Sequence, residues 1–184
     1  MKFGLMYSFI VPPGSNMTHL DTFREMDELI GYAEQLGFDS FQTTEHHFQS
    51  NGWAPSPLPV LAKAAGLTRT MRLVTNILVL PLYDPLRLAE DILTLDNLCE
   101  GRVTLGVSPG YVSEEFTAYG VPHAERFGRA EEILDILEKS WRDDVLEHDG
   151  RYYHTPPTRL MPRPVQQPIP IWYGVSGPKL LRRA

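Results

Sequence analysis

RLVTNILVL, residues 72–80, is the segment that most narrows the choice of fold for this chain. Nearly every position is apolar or β-branched, which is typical of a strand that is buried on both faces. Strands of this kind belong to parallel sheets that are covered by helices. The segment therefore predicts a buried strand inside an α/β fold.

Strand and helix patterns alternate on both sides of this segment. Further strands are predicted over residues 2–8, 38–43, 102–108 and 171–175. Helices are predicted to begin at Thr18 or Asp21, at Pro59, at Pro85, near Ala124 and at Ser176. The alternation breaks after residue 143, where residues 146–153 predict a short hairpin that turns at Asp149-Gly150. The proline-rich residues 155–170 predict an extended crossing segment.

Alternating strands and helices predict parallel pairing with right-handed crossovers. Five such units fit either a complete open flavodoxin-like sheet or slightly over half of a (β/α)8 TIM-type barrel, which typically needs ~250 residues. Periodicity alone does not choose between these two architectures.

The composition excludes several classes of protein. Of the 184 residues 42% are hydrophobic and the formal net charge is −6, so we expect one domain over residues 1–184 and no nucleic-acid surface. Cys99 is the one cysteine, which excludes an internal disulfide framework and fits a reducing cytoplasm. No segment approaches the ~20 apolar residues that a membrane-spanning helix needs.

A polar cluster, Glu45-His46-His47-Phe48, follows the predicted strand 38–43. Ligands of parallel α/β folds bind at the carboxyl ends of the strands, so His46 is a candidate general base or hydrogen-bond donor. Strand alternation places Glu45 and His47 on one side and His46 on the other, which argues against a metal site. Histidines that pack against a helix or anchor a loop are the simpler interpretation.

Two further polar residues lie on the predicted strands. Asn76 is an amide inside an apolar strand, so it either bonds a neighbouring loop or contacts the polar edge of a bound ring. Ser108 lies in the small-residue turn 106–110, which either lets a ligand approach the backbone or is a plain turn. Three aromatic residues are candidates for lining a cavity there: Trp53, Tyr111 and Trp172.

Two places are candidates for binding an anion. Ser176-Gly177 precedes a predicted helix, whose free N–H groups suit a phosphate, although serine is also a common N-cap without any ligand. Arg126 and Arg129 lie one helical turn apart and either hold a phosphate or form ion pairs with Glu131 or Glu132.

Taken together, an ordered set of short motifs resembles the bacterial luciferase-like family of flavin-dependent oxidoreductases. The set runs through the whole chain and comprises MKFGL at the start, Gly37-Phe38-Asp39, Glu45-His46-His47-Phe48, Val79-Leu80-Pro81, Asp84-Pro85, Ala89-Glu90-Asp91, Leu95-Asp96, Glu100-Gly101-Arg102, Gly106-Val107-Ser108-Pro109-Gly110, Glu115-Phe116, Gly120 and the segment 162–172.

The resemblance implies a (β/α)8 barrel, of which this chain holds about the first five units, with flavin at the carboxyl ends of the strands and usually a dimer. It also implies a monooxygenase that uses reduced FMN from a partner flavin reductase, together with O2, to oxidise a small organic substrate. The alternatives are a deazaflavin-dependent hydride-transfer enzyme and a catalytically inactive half-barrel that binds only flavin or a partner chain. An unrelated flavodoxin-like domain would have the strand order 2-1-3-4-5.

The resemblance also assigns roles to residues of the first four strands. His46 matches the catalytic histidine of the family, and Ser108 stands at the position of the reactive cysteine of luciferase. Asn76-Ile77 falls where many members have a cis peptide bond under the flavin ring.

Two departures from the family pattern concern the phosphate site and the end of the chain. Pro109 replaces a phosphate-binding arginine of luciferase, so phosphate binding is expected to use Arg126 or Arg129 and the Ser176-Gly177 turn. Strands 6 to 8 are not in this sequence, so we expect either a fragment of a longer protein or two copies that pair.

Overall fold

The computed structural model describes residues 1–174, so Ser176, Gly177 and the predicted last helix lie outside the described residues. Five parallel strands form one sheet: β1 (Gly4–Tyr7), β2 (Ser40–Thr43), β3 (Arg72–Val79), β4 (Val103–Ser108) and β7 (Ile171–Tyr173). Two more strands form an antiparallel pair: β5 (Leu146–Asp149) and β6 (His154–Thr158). The helices are α1 (His19–Gln35), α2 (Pro57–Leu67), α3 (Pro85–Leu98), α4 (Ser113–Ala118) and α5 (Arg126–Arg142). None of them is long and apolar enough to cross a bilayer.

The order of the parallel strands chooses between the two predicted architectures. Neighbours in the sheet are β1-β2-β3-β4-β7, which is the order of the strands along the chain. A flavodoxin-like sheet would place β1 between β2 and β3. The sequential order is that of a (β/α) barrel, and the predicted fold class, a partial barrel, is confirmed.

The two faces of the sheet have opposite chemistry because successive side chains alternate. Phe41, Leu73 and Leu105 are fully buried on the face that packs against the helices. The helices contribute fully buried apolar side chains to the same core: Ile30, Leu61, Ile92 and Ile133. The opposite face carries polar side chains, where Asn76 Nδ2 donates to Gln42 Oε1 at 2.8 Å.

Most helix starts follow the predicted chemistry. Thr18 forms a capping box with Asp21 at the start of α1, and Asp84 caps α3 ahead of Pro85. The predicted second helix, 59–70, is shifted, because α2 already begins at Pro57. The helix α4 was not predicted, since six residues are too few to give a clear periodic pattern.

The predicted hairpin is present but longer than expected. Its strands pair antiparallel on both sides of residues 150–153, so β6 extends into the segment predicted as an extended crossing. The Glu132 carboxylate accepts the backbone N–H groups of Arg151, Tyr152 and Tyr153 at 2.8–3.2 Å. These bonds lower the pKa of Glu132 although burial opposes them, and they fix the hairpin against α5.

The contact between β3 and β4 is irregular beside the predicted ligand site. Their register shifts between Thr75 and Leu78, and the Asn76-Ile77 peptide bond is cis, as the family resemblance implies. A Cβ atom on Gly106 would lie 2.1 Å from the Thr75 carbonyl oxygen. Gly106 thus makes room for the backbone of β3, which neither interpretation of the turn 106–110, ligand approach or plain turn, had included.

We expect Gly106→Ala to destabilise the protein by about 1–3 kcal/mol or more, because a side chain there must displace a strand backbone. Chemical denaturation measures the free energy of unfolding. Gly31→Ala is the matched control, since a Cβ atom on this helical glycine meets nothing within 4 Å and should stabilise α1 by ~0.5–1 kcal/mol. Equal effects of the two substitutions would contradict the close approach of β3 and β4.

Candidate functional site

A cleft of about 310 Å³ lies at the carboxyl ends of four parallel strands. Residues from the ends of β2, β3 and β4, from the following loops and from α4 form its walls: Glu45, His46, Asn76, Ile77, Val79, Ser108, Gly110, Tyr111, Glu115 and Gly174. Three predicted site residues, His46, Asn76 and Ser108, are thereby brought together. The cleft is where ligands of parallel barrels bind.

Glu45 is a buried carboxylate at the base of this site, with no exposed side-chain surface. Its Oε2 atom accepts the backbone N–H of Val79 at 3.0 Å, and its Oε1 atom lies 2.9 Å from His47 Nε2. Burial raises the pKa of Glu45, which the contacts with His47, Val79 and Tyr83 only partly offset. The carboxyl therefore joins the ends of β2 and β3 and favours its protonated form more than an exposed glutamate does.

The two histidines point to different sides, as strand alternation predicted. His47 turns toward Glu45 and is buried, and its Nδ1 atom lies 3.0 Å from the Tyr119 hydroxyl. His46 borders the cleft on the other side, where a quarter of its side chain is exposed. Of the two histidines, His46 is therefore the one that is placed to contact a ligand in the cleft.

Aromatic rings and one carboxylate fix the orientation of His46. Its ring meets Trp53 edge-on at a centroid distance of 4.5 Å and lies 6.4 Å from the Tyr111 ring. The Glu115 Oε1 atom is 3.7 Å from His46 Nδ1 and accepts the backbone N–H of His47 at 2.9 Å. Because Nδ1 faces this buried carboxylate, Nε2 is the ring nitrogen left for a ligand.

Asn76 and Ser108 are held by local hydrogen bonds. The partner of Asn76 is Gln42 on the neighbouring strand, whereas a loop partner was one of the two interpretations. Ser108 Oγ accepts the backbone N–H of Gly110 at 3.2 Å. Both side chains therefore present a fixed polar edge to the cleft.

The predicted arginines do not border this cleft. Arg129 forms an ion pair, as one of the two interpretations expected, and its partner at 2.7 Å is Glu125, whereas Glu132 binds the hairpin. Arg126 donates to the His123 carbonyl and its guanidinium lies over the Phe127 ring, with Nε buried and without a partner. Arg126 thus has a buried Nε donor without a partner, whereas a carboxylate already binds Arg129.

Three further observations limit the site. Trp172, predicted to line an aromatic cavity with Trp53 and Tyr111, is exposed on β7 and does not border the cleft. No group of three or more histidine, cysteine or acidic side chains within residues 1–174 is arranged to hold a metal ion. A larger cavity of about 620 Å³ between α5 and residues 167–171 includes none of the residues around His46.

The sequence analysis assigned no role to three residues of the site: Tyr83, Glu115 and Tyr119. Glu115 lies on the unpredicted helix α4, and Tyr119 follows that helix directly. The sequence signals for Glu115 were the family motif Glu115-Phe116 and the acidic pair Glu114-Glu115 shortly after β4.

The profile of the luciferase-like monooxygenase family matches residues 1–184. The chain belongs to this family. The flavin-dependent trigonelline monooxygenase, oxygenase component, of Acinetobacter baylyi is 32% identical over 165 residues, which are 88% of this chain and 45% of that protein. The F420-dependent glucose-6-phosphate dehydrogenase of Beutenbergia cavernae is 35% identical over 167 residues, which are 85% of this chain and 49% of that protein.

Solved structures of family proteins share the fold. The crystal structure of monooxygenase RslO1 from Streptomyces bottropensis has a TM-score of 0.88 at 31% identity, over 94% of this chain and 53% of that one. The oxygenating constituent of 3,6-diketocamphane monooxygenase from Pseudomonas putida, in complex with FMN, has a TM-score of 0.76 at 26% identity, over 88% and 45%. The chain thus spans about half the length of the relatives it matches.

We expect the stability of the wild type to fall relative to Glu45→Gln as the pH rises above the ordinary pKa of glutamate. Burial raises the pKa of Glu45 in the folded state, so in that window the folded state binds more protons than the unfolded state. The slope is at most ~1.4 kcal/mol per pH unit. Urea denaturation across the pH range measures it, and Tyr83→Phe, which keeps the carboxyl, should retain the slope. A pH-independent difference between wild type and Glu45→Gln would contradict the raised pKa.

Proposed function

We propose that the protein is a flavin-dependent monooxygenase that uses reduced FMN and O2 to oxidise a small organic substrate. The observation that carries the proposal is His46, an imidazole at the wall of a strand-end cleft with Nδ1 toward a buried carboxylate. Family membership supports an oxidoreductase, and the flavin-dependent relative supports the choice of oxygenation.

The residues of the cleft fit the ring of a flavin. The volume is within the range of roughly 300–1,000 Å³ of small-molecule sites, at its lower end. Ile77 and Val79 offer apolar surface, while Asn76 and Ser108 offer polar groups, which together suit a planar ring with a polar edge. FMN would supply the redox chemistry, and the protein would supply position and electrostatics.

The phosphate of FMN would need cationic or N–H donors outside the described cleft walls. Arg126, with its unpartnered buried Nε atom, is the described residue that we propose for it. The predicted Ser176-Gly177 turn remains part of this proposal. Arg129 is a weaker candidate because Glu125 already neutralises it.

His46 would hold or move a proton at Nε2. The Glu115 carboxylate stabilises a positive charge on the ring when the imidazole takes up a proton. Trp53 and Tyr111 beside the ring would exclude water, which protects reactive species from hydrolysis. The same groups would orient the imidazole.

We propose the partner protein and the cofactor of the reaction from the relatives of this chain. An oxygenase component implies a separate flavin reductase, and the FMN complex of the camphane enzyme supports FMN. A homodimer in the cytoplasm remains our expectation. The similarity to an F420-dependent dehydrogenase supports one alternative, a deazaflavin-dependent hydride-transfer enzyme on the same scaffold.

We expect His46→Asn to bind reduced FMN in an anaerobic titration within ~3-fold of the wild type. After rapid mixing with air-saturated buffer, absorbance should show the flavin returning to its oxidised state at least ~10-fold faster, because the side chain that holds the proton is gone. His154→Asn is the control, since His154 is an exposed histidine of the hairpin.

Three outcomes would contradict this proposal. Identical re-oxidation in wild type and His46→Asn would remove His46 from the chemistry. Tighter binding of reduced deazaflavin than of reduced FMN would favour the hydride-transfer alternative. Absence of binding to either cofactor would favour the inactive half-barrel.

A further inference from the structure

Three side chains form a continuous hydrogen-bonded chain behind the cleft. The Tyr119 hydroxyl lies 3.0 Å from His47 Nδ1, and His47 Nε2 lies 2.9 Å from Glu45 Oε1. Both distances are those of ordinary hydrogen bonds. The proposed function uses none of these three side chains, because His46 points to the other side.

Donors and acceptors along the chain agree with one tautomer. When Glu45 is ionised it only accepts, so His47 carries its proton on Nε2 and donates it to Glu45. His47 Nδ1 is then an acceptor, and the Tyr119 hydroxyl donates to it. Both hydrogen bonds of the chain are therefore donated in the direction of Glu45.

The two ends of the chain lie in different surroundings. Tyr119 is exposed over 46% of its surface, whereas the side chains of His47 and Glu45 are exposed over 6% and 0%. Glu45 is also one of the residues that line the cleft. The chain thus runs from a partly exposed hydroxyl group to a carboxyl group without exposed surface, at a residue that borders the cleft.

We infer that Tyr119, His47 and Glu45 form a proton path between solvent and the cleft wall, with Glu45 as the internal proton acceptor. The path itself does not depend on the proposed function; only the reaction that would use the proton does. A water-poor cleft needs such a path, because protons must reach developing charge without admission of bulk water.

The transfer is balanced in protons. His47 passes its Nε2 proton to the Glu45 carboxylate, while His47 Nδ1 takes the proton of the Tyr119 hydroxyl. The Tyr119 oxygen regains a proton from water, so one proton moves from solvent to Glu45. No oxidant or reductant takes part.

The charged and titratable groups around the chain agree with this direction. Burial raises the pKa of Tyr119, and the carboxylates of Glu45 and Glu115 add to the shift, so its hydroxyl stays protonated. Glu115 accepts the backbone N–H of His47. Tyr83, which lies just before α3, interacts with Glu45 through its hydroxyl group. Burial also raises the pKa of Glu45, which makes the protonated end state accessible.

Infrared spectroscopy of the flavin-free protein after a rapid drop in pH tests this path. The carboxylic acid band that disappears in Glu45→Gln reports protonation of Glu45. We expect Tyr119→Phe to slow the appearance of that band by ~10-fold or more, the factor that corresponds to one lost hydrogen bond of about 1.4 kcal/mol.

Tyr83→Phe is the matched control. It removes a hydroxyl group that interacts with the Glu45 carboxyl but leaves the path to solvent intact. The pH at which the band appears should therefore shift, while the rate of its appearance should not fall. Tyr119→Phe deletes one hydroxyl of a half-exposed side chain, so it should fold, and circular dichroism checks this.

Equal protonation rates in wild type and Tyr119→Phe would overturn the inference, since protons would then reach Glu45 by another route. A carboxylic acid band that does not change with pH would overturn it too. Both results are obtained without flavin, so they are distinguishable from failure of the proposed monooxygenase activity.

Discussion

The burial of one carboxylate, Glu45, constrains the whole carboxyl end of the sheet. A buried carboxyl must be neutralised or fully hydrogen-bonded. Glu45 has three partners: Val79 at the end of β3, His47 two residues further along the chain, and Tyr83. Val79 and His47 are therefore fixed relative to one another. His46 lies between Glu45 and His47 in the chain, so its backbone is held by the same bonds.

A second constraint is the close contact of β3 and β4. Thr75 Oγ1 donates to the Gly106 carbonyl at 2.8 Å, and Gly106 has no room for a side chain. The strands thus come together at the point where Asn76 and Ile77 leave the regular ladder and turn to the cleft. The floor of the cleft is therefore built from backbone geometry, which is more rigid than a loop.

Electrostatics divide the site between two histidines and two buried carboxylates. Glu115 serves His46 on the cleft side, and Glu45 serves His47 on the core side. Such pairs suit the movement of protons, since each imidazole lies close to a carboxyl group. A flavin carries its own redox chemistry, so control of protons and water is the contribution that these side chains can make.

The sequence by itself determined the alternation of strands and helices, the starts of α1 and α3, and the separation of His46 from Glu45 and His47. Each of these depends on neighbours within a few residues, through periodicity 2 or 3.6 and through capping. The family assignment also came from short motifs in their order along the chain. Periodicity left the strand order open, and the family resemblance implied the barrel order that the structure has. Tertiary structure alone decided the partner of Arg129 and the placing of Glu115 and Tyr119. Glu115 and Tyr119 contact His47 from 68 and 72 residues away, and no local pattern specifies a contact at that separation, because it depends on how whole elements pack.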